Sequence, residues 1–212
     1  MIDKKRLTSF ISRYTDRYED LNKVLVTAYI RNNRLRVKGG LLSRLILDDI
    51  SSIEDLGCIE SIEDIINIFE LAISKNEQTV NGAVYTPKYI RDYIVENIFQ
   101  DAGVSLEKCL CADISCGCGA FLYTVAEYIH KKTRQGYALI IKRLYGVDIS
   151  AASIERAKIL LSLAALASGE DLDDSSFRLY TNDSLNFDFN SLPEVTSNGA
   201  VSYTHLRAHE TS

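Results

Sequence analysis

The chain has 212 residues, 46% apolar and 25% charged, with a net charge of -5. That balance argues against collagen or a disordered tail, and no apolar run reaches the roughly 20 residues a membrane-spanning helix needs. Five cysteines, four of them between Cys109 and Cys118, form no secreted disulfide framework and point to a reducing compartment, the cytoplasm. Charge is uneven: residues 1–44 carry 11 Lys and Arg against 4 Asp and Glu, whereas residues 45–200 carry 12 against 24. A basic arm on an acidic body fits either a solvated helix face or a phosphate-contacting segment.

Phe10, Tyr14, Tyr18, Leu21, Leu25 and Tyr29 recur at steps of three and four, which predicts one long amphipathic helix ended by Gly39-Gly40. A second apolar stretch runs from Leu41 to Ile50. Ser61 with Asp64 three positions on reads as a capping box ahead of Ile65, Ile66, Phe69 and Ile73. Residues 1–80 are therefore expected to be a helical region.

From residue 81 short strand-like runs alternate with helices, the pattern of a parallel α/β sheet. Thr86 and Pro87 suit an N-cap and first helical position, with Ile90, Ile94 and Ile98 on one face. Cys109 to Ile114 reads as a buried strand. Gly117 and Gly119 then turn the chain into a helix bearing Phe121, Val125 and Ile129, closed by Lys131, Lys132, Arg134 and Gly136. Leu144 to Asp148 is the second strand, Ser150 caps the next helix, and Phe177 to Thr181 is the third strand.

Asp113 ends the first strand ahead of glycines whose missing Cβ lets backbone approach a ligand closely. Asp148 ends the second, where a carboxylate can accept from two ribose hydroxyls; Asn182-Asp183-Ser184 ends the third. The spacing from glycine turn to acid is too long, and the third glycine is absent, for a dinucleotide fingerprint, which disfavours NAD.

Taken in order, Gly82-Ala83-Val84-Tyr85-Thr86-Pro87, Asp113-Ile114-Ser115-Cys116-Gly117-Cys118-Gly119-Ala120-Phe121-Leu122, Gly146-Val147-Asp148-Ile149 and Asn182-Asp183-Ser184-Leu185 resemble the motif series of adenine-specific DNA methyltransferases. The class is that of type I modification subunits and fused type II restriction-modification enzymes, and the likeness runs over about residues 61–200. It implies the first half of a Rossmann-like methyltransferase sheet, an α/β fold of three parallel strands in the order three, two, one. It also implies S-adenosylmethionine as cofactor and double-stranded DNA as substrate, together with a specificity or restriction subunit as partner and no membrane.

By that resemblance Tyr85, Thr86 and Pro87 border the methionine end of the cofactor. Asp113 with the Gly117 and Gly119 backbone, next to Phe121, holds its amino-acid portion. Asp148 binds the ribose, Asp183 with Ser184 meets the adenine, and Ile149 packs on the ring. Ile114 stands where the family has proline, and Cys118 where it has a small residue such as serine; neither prevents the loop from forming.

The family's Asn/Asp-Pro-Pro-Tyr/Phe loop, which holds the flipped base, has no counterpart, since the only prolines are Pro87 and Pro193. Residues 81–200 are thus expected to be a partial cofactor-binding domain, inactive alone, with the first strand's outer edge unpaired. Residues 201–212 look like translated adapter sequence. His205 and His209 within them are not read as metal ligands, and the Cys-x-Cys pairs at 109–111 and 116–118 are spaced too closely for common zinc sites. Two other readings remain open: a methyltransferase acting on RNA or protein, and a non-catalytic helical DNA-binding or assembly module.

Overall fold

Capping and packing decide where each element starts. In this computed structural model the described residues are 4–14, 17–48, 59–72, 86–101, 103, 105–188 and 202–203. Chain contacts divide it into two units, Met1–Tyr85 with Ile159–Ser175, and Thr86–Lys158 with Ser176–Ser212.

In the first unit the expected long helix is two, α1 (Lys4–Ser12) and α2 (Tyr18–Asn32). Thr15 and Asp16, between the two, lie outside the described residues. Phe10, Leu21, Leu25 and Tyr29 are nonetheless buried as the periodicity requires. The stretch from Leu41 is one 3-10 turn, Leu42–Leu45, rather than a helix; Asp49 and Ile50 lie outside the described residues. It is tied down by its flanks. Lys38 and Gly39 donate to the Asp171 carboxylate at 2.8 and 2.9 Å, and Leu41 N–H to the Leu172 carbonyl at 2.8 Å. Gly40 has φ +66°, and a Cβ there would lie 2.3 Å from that carbonyl. The capping box forms: Ser61 accepts from Asp64 N–H, Asp64 accepts from Ser61 N–H, and α3 (Ile62–Leu71) follows. Ile73 lies outside the described residues.

The second unit is a parallel sheet with helices. Its strands are β1 (Cys111–Asp113), β2 (Leu144–Asp148), β3 (Arg178–Thr181) and β4 (Ser202–Tyr203), in the order β3-β2-β1-β4. The three expected strands lie as expected. The outer edge of β1, expected to be bare, instead pairs with β4, Cys111 opposite Ser202 and Ala112 opposite Tyr203. An unpaired parallel edge offers a row of N–H and C=O groups that any extended segment can satisfy. Ala112, Tyr145 and Val147 form a buried patch on the sheet, against which Leu110, Ile114, Tyr180 and Phe187 pack.

Among the described residues there follow helices α4 (Lys88–Asp101), α5 (Ala120–Thr133), α6 (Tyr137–Ile141) and α7 (Ala151–Ala167). On α4 the most deeply buried positions are Arg91 and Val95, while Ile90, Ile94 and Ile98 are only half-buried. The left-handed residue ending α5 is Arg134 (φ +62°) and not Gly136, which precedes α6 with φ -66°. Ser150 caps α7 as expected, accepting from Ser153 N–H at 3.2 Å. No described helix is long and apolar enough to cross a membrane.

Candidate functional site

Parallel pairing puts the carboxyl ends of β1, β2 and β3 along one edge, with Asp113 opposite Gly146 and Asp148 opposite Thr181. Beyond β1 the chain is held to β2 residue by residue. Ser115 N–H turns back onto the Asp113 carboxylate at 3.1 Å, Cys116 N–H reaches the Val147 carbonyl at 3.0 Å, and Gly117 N–H reaches the Asp148 carboxylate at 2.9 Å. The other oxygen of Asp148 accepts from Ser150 N–H at 2.9 Å. Asp148 therefore fixes both the glycine turn and the start of α7, and a carboxylate's four lone-pair positions leave it room for two more donors.

The two glycines have different reasons for being there. Gly117 has φ +51°, and a Cβ on it would meet nothing within 4 Å, so it faces open space. Gly119 has φ +84° and packs on α7: a Cβ would lie 2.8 Å from that of Ala157. Both amides are engaged inside the protein, Gly117 with Asp148 and Gly119 with the Cys116 carbonyl at 2.8 Å. At the start of α5 the N–H groups of Ala120, Phe121 and Leu122 have no acceptor within the helix, the arrangement that suits an anionic ligand, whereas the Tyr123 N–H reaches the Gly119 carbonyl at 2.9 Å.

Burial pushes the half-buried Asp113 carboxyl up to about 6; the Ser115 N–H opposes this and the Asp148 charge adds to it. A cationic group placed beside Asp113 would relieve that cost. Burial, with Asp113 and Asp148 adding to it, pushes the Cys116 thiol well up, so it is a packing group and no nucleophile. Cys116, Leu122 and Leu179 press on Gly146, where a Cβ would lie 2.6 Å from the nearest Leu179 carbon.

Asp183 is exposed. It accepts from Leu185 N–H at 3.0 Å and from the Asn186 side chain at 2.8 Å, and Asn182 N–H joins this turn to the Asp148 carbonyl at 3.0 Å. Ile149 and Leu185 stand out beside the ends of β2 and β3, 67% and 89% exposed. Ser184 is half-buried. Thr86 and Pro87 are half-buried at the start of α4, whereas Tyr85 lies outside the described residues.

The residue that sequence reading missed is Arg91. It is completely buried, and its guanidinium donates to the Thr86 carbonyl (3.0 Å), the Ala120 carbonyl (2.9 Å) and the Thr124 hydroxyl (2.7 Å). It thereby fastens the Thr86-Pro87 segment to the first turn of α5. Beside it Lys88 pairs with Asp92 at 2.8 Å and with Glu127 at 3.4 Å. Against the upward push of its burial, the hydrogen bond from Lys131 at 3.0 Å, with the Lys88 charge, holds the Glu127 carboxyl below its ordinary range. The available signal was one cation amid Ile90, Ile94 and Val95, on the side of the helix that shares Val95.

Parallel strands with acids at their carboxyl ends beside a glycine turn define an open α/β domain, the class in which ligands generally bind at that edge. The chain belongs to the N-6 DNA methylase family, whose model matches residues 60–197. Among solved structures it is similar to one from Listeria monocytogenes described as a class I S-adenosylmethionine-dependent methyltransferase. The two are 15% identical with a TM-score of 0.43, over 87% of this chain and 55% of that one. The chain thus spans about half the length of that structure. Comparison with curated proteins gives no match.

Proposed function

We propose that the edge formed by β1, β2 and β3 is the S-adenosylmethionine site of an adenine-specific DNA methyltransferase of the type I modification class. The observation that carries this reading is the Asp148 carboxylate, which anchors Gly117 and Ser150 and still has lone pairs facing an open turn.

The residues present suit this cofactor. Asp113, half-buried, takes the ammonium of the amino-acid portion, and the first-turn amides of α5 with Phe121 take its carboxylate. Gly117 gives that portion room and Gly119 keeps α5 close to α7. Asp148 accepts from the ribose hydroxyls. Asp183, next to Ser184, accepts from the adenine amine, and Ile149 covers the ring. Tyr85, Thr86 and Pro87 border the methionine end, with the Thr86 carbonyl held by Arg91. When bound, the cofactor supplies an electrophilic methyl group. What the chain contributes is orientation and a dry, negatively charged wall around a cationic ligand.

The substrate is the exocyclic amine of adenine flipped from duplex DNA. The basic residues of 1–44 are suited to its phosphates, and a specificity or restriction subunit is the expected partner. A flipped base needs a loop that stacks it. Because this sequence has no Pro-Pro pair, methyl transfer by this polypeptide alone is not expected.

Calorimetry of S-adenosylmethionine binding to the full chain tests the reading. Each charge-assisted hydrogen bond is worth roughly 1.5–3 kcal/mol, so Asp148→Ala weakens binding by about one to two powers of ten. Unchanged affinity refutes the ribose assignment.

A further inference from the structure

At the opposite end of β1 from Asp113, two thiols face each other. Cys111 opens β1 and Cys109 lies two residues before it, just past a turn that the Cys109 N–H closes on the Ser105 carbonyl at 2.9 Å. Both are half-buried, neither is in a disulfide, and the S–H of Cys111 points to the Cys109 sulfur at 4.0 Å.

Arg143 stands over the pair. Its carbonyl accepts from Cys111 N–H at 3.0 Å, and its guanidinium is tied to the Leu106 and Glu107 carbonyls and, at 2.6 Å, to Gln135. The hydrogen bond from Cys111, aided by the Arg143 charge, pulls the Cys109 thiol down to about 7 against the upward push of burial, and the same bond pushes Cys111 up. Of the two sulfurs Cys109 is thus the one favoured as thiolate, with the Cys111 thiol beside it at 4.0 Å.

We propose that Cys109 and Cys111 form a dithiol site that small-molecule disulfides oxidise reversibly to an intramolecular Cys109–Cys111 disulfide. The Cys109 thiolate attacks one sulfur of the small disulfide, whose S–S bond breaks and releases a thiolate carrying the bonding pair. Cys111 then loses its proton and attacks the Cys109 sulfur of the mixed disulfide, expelling the second small thiolate, which takes up that proton. The pair is oxidised by two electrons and the small disulfide is reduced to two thiols. Two extended residues span about 6.6 Å between Cα atoms, near the upper limit for a disulfide, so the product is strained and readily reduced.

The test uses the reduced full chain and one molar equivalent of dithiobis(nitrobenzoate), with released thionitrobenzoate read by absorbance and the product by mass. The wild-type chain is expected to release two thionitrobenzoates per reagent, keep no label, lose two hydrogens in mass and yield a Cys109–Cys111 cross-linked peptide. Its rate rises with pH through about 7. Cys111→Ser should halve the release and keep the label on Cys109, and Cys109→Ser should lose the fast phase. A wild-type chain that retains a stable label, one that shows no fast phase, or a fast phase that survives in Cys109→Ser overturns the proposal.

Discussion

Asp113 is a carboxyl under opposing demands. Burial and the Asp148 charge favour its protonated form, and one N–H from Ser115 favours the ionised form without prevailing. An acid whose folded pKa is raised binds more protons folded than unfolded, so its contribution to stability is present below about 4, the unfolded value, and is lost as pH rises through about 6. Asp113→Asn keeps an oxygen for Ser115 and removes the ionisation. Thermal unfolding of the ligand-free chain should therefore show the variant as stable as wild type near pH 4 and more stable above pH 6. A wild-type advantage above pH 6 contradicts this account. Under the proposed cofactor reading, a cationic ligand beside Asp113 would offset this cost.

At the scale of elements, Arg91 joins α4 to α5, and its removal takes one donor each from the Thr86 carbonyl, the Ala120 carbonyl and the Thr124 hydroxyl, of which the last two still bond each other at 2.9 Å. With an unsatisfied buried group costing about 1–3 kcal/mol, Arg91→Met should lower stability by roughly 2–4 kcal/mol in urea denaturation, and a loss under 1 kcal/mol contradicts the clamp. Local chemistry made some elements readable in advance. Ser61 and Asp64 cap α3 with their own side chains, Ser150 caps α7, and Leu144 to Asp148 is a strand bounded by an acid. Where distant residues decide, the sequence pattern misleads. Arg91 lies in the core because carbonyls from another helix await it, Arg134 takes the left-handed cap ahead of Gly136, and α6 occupies a stretch whose apolar run reads equally well as the approach to β2.

At the scale of the molecule, three acids far apart in sequence reach one sheet edge because parallel strands joined by helices all point the same way. Asp113, Asp148 and Asp183 were legible as strand-terminal acids. Their internal partners were not, since the use of the Gly117 amide by Asp148 depends on the register of two strands. Those partners make natural reporters: Ser115 N–H binds Asp113, Gly117 and Ser150 N–H bind Asp148, and Leu185 N–H binds Asp183. An amide NMR titration of the full chain with S-adenosylmethionine reads all four at once. The account predicts that the four resonances shift together along one binding curve while amides of α1 to α3 stay still. Shifts confined to one strand end, or four reporters that do not move at saturating cofactor, would contradict it.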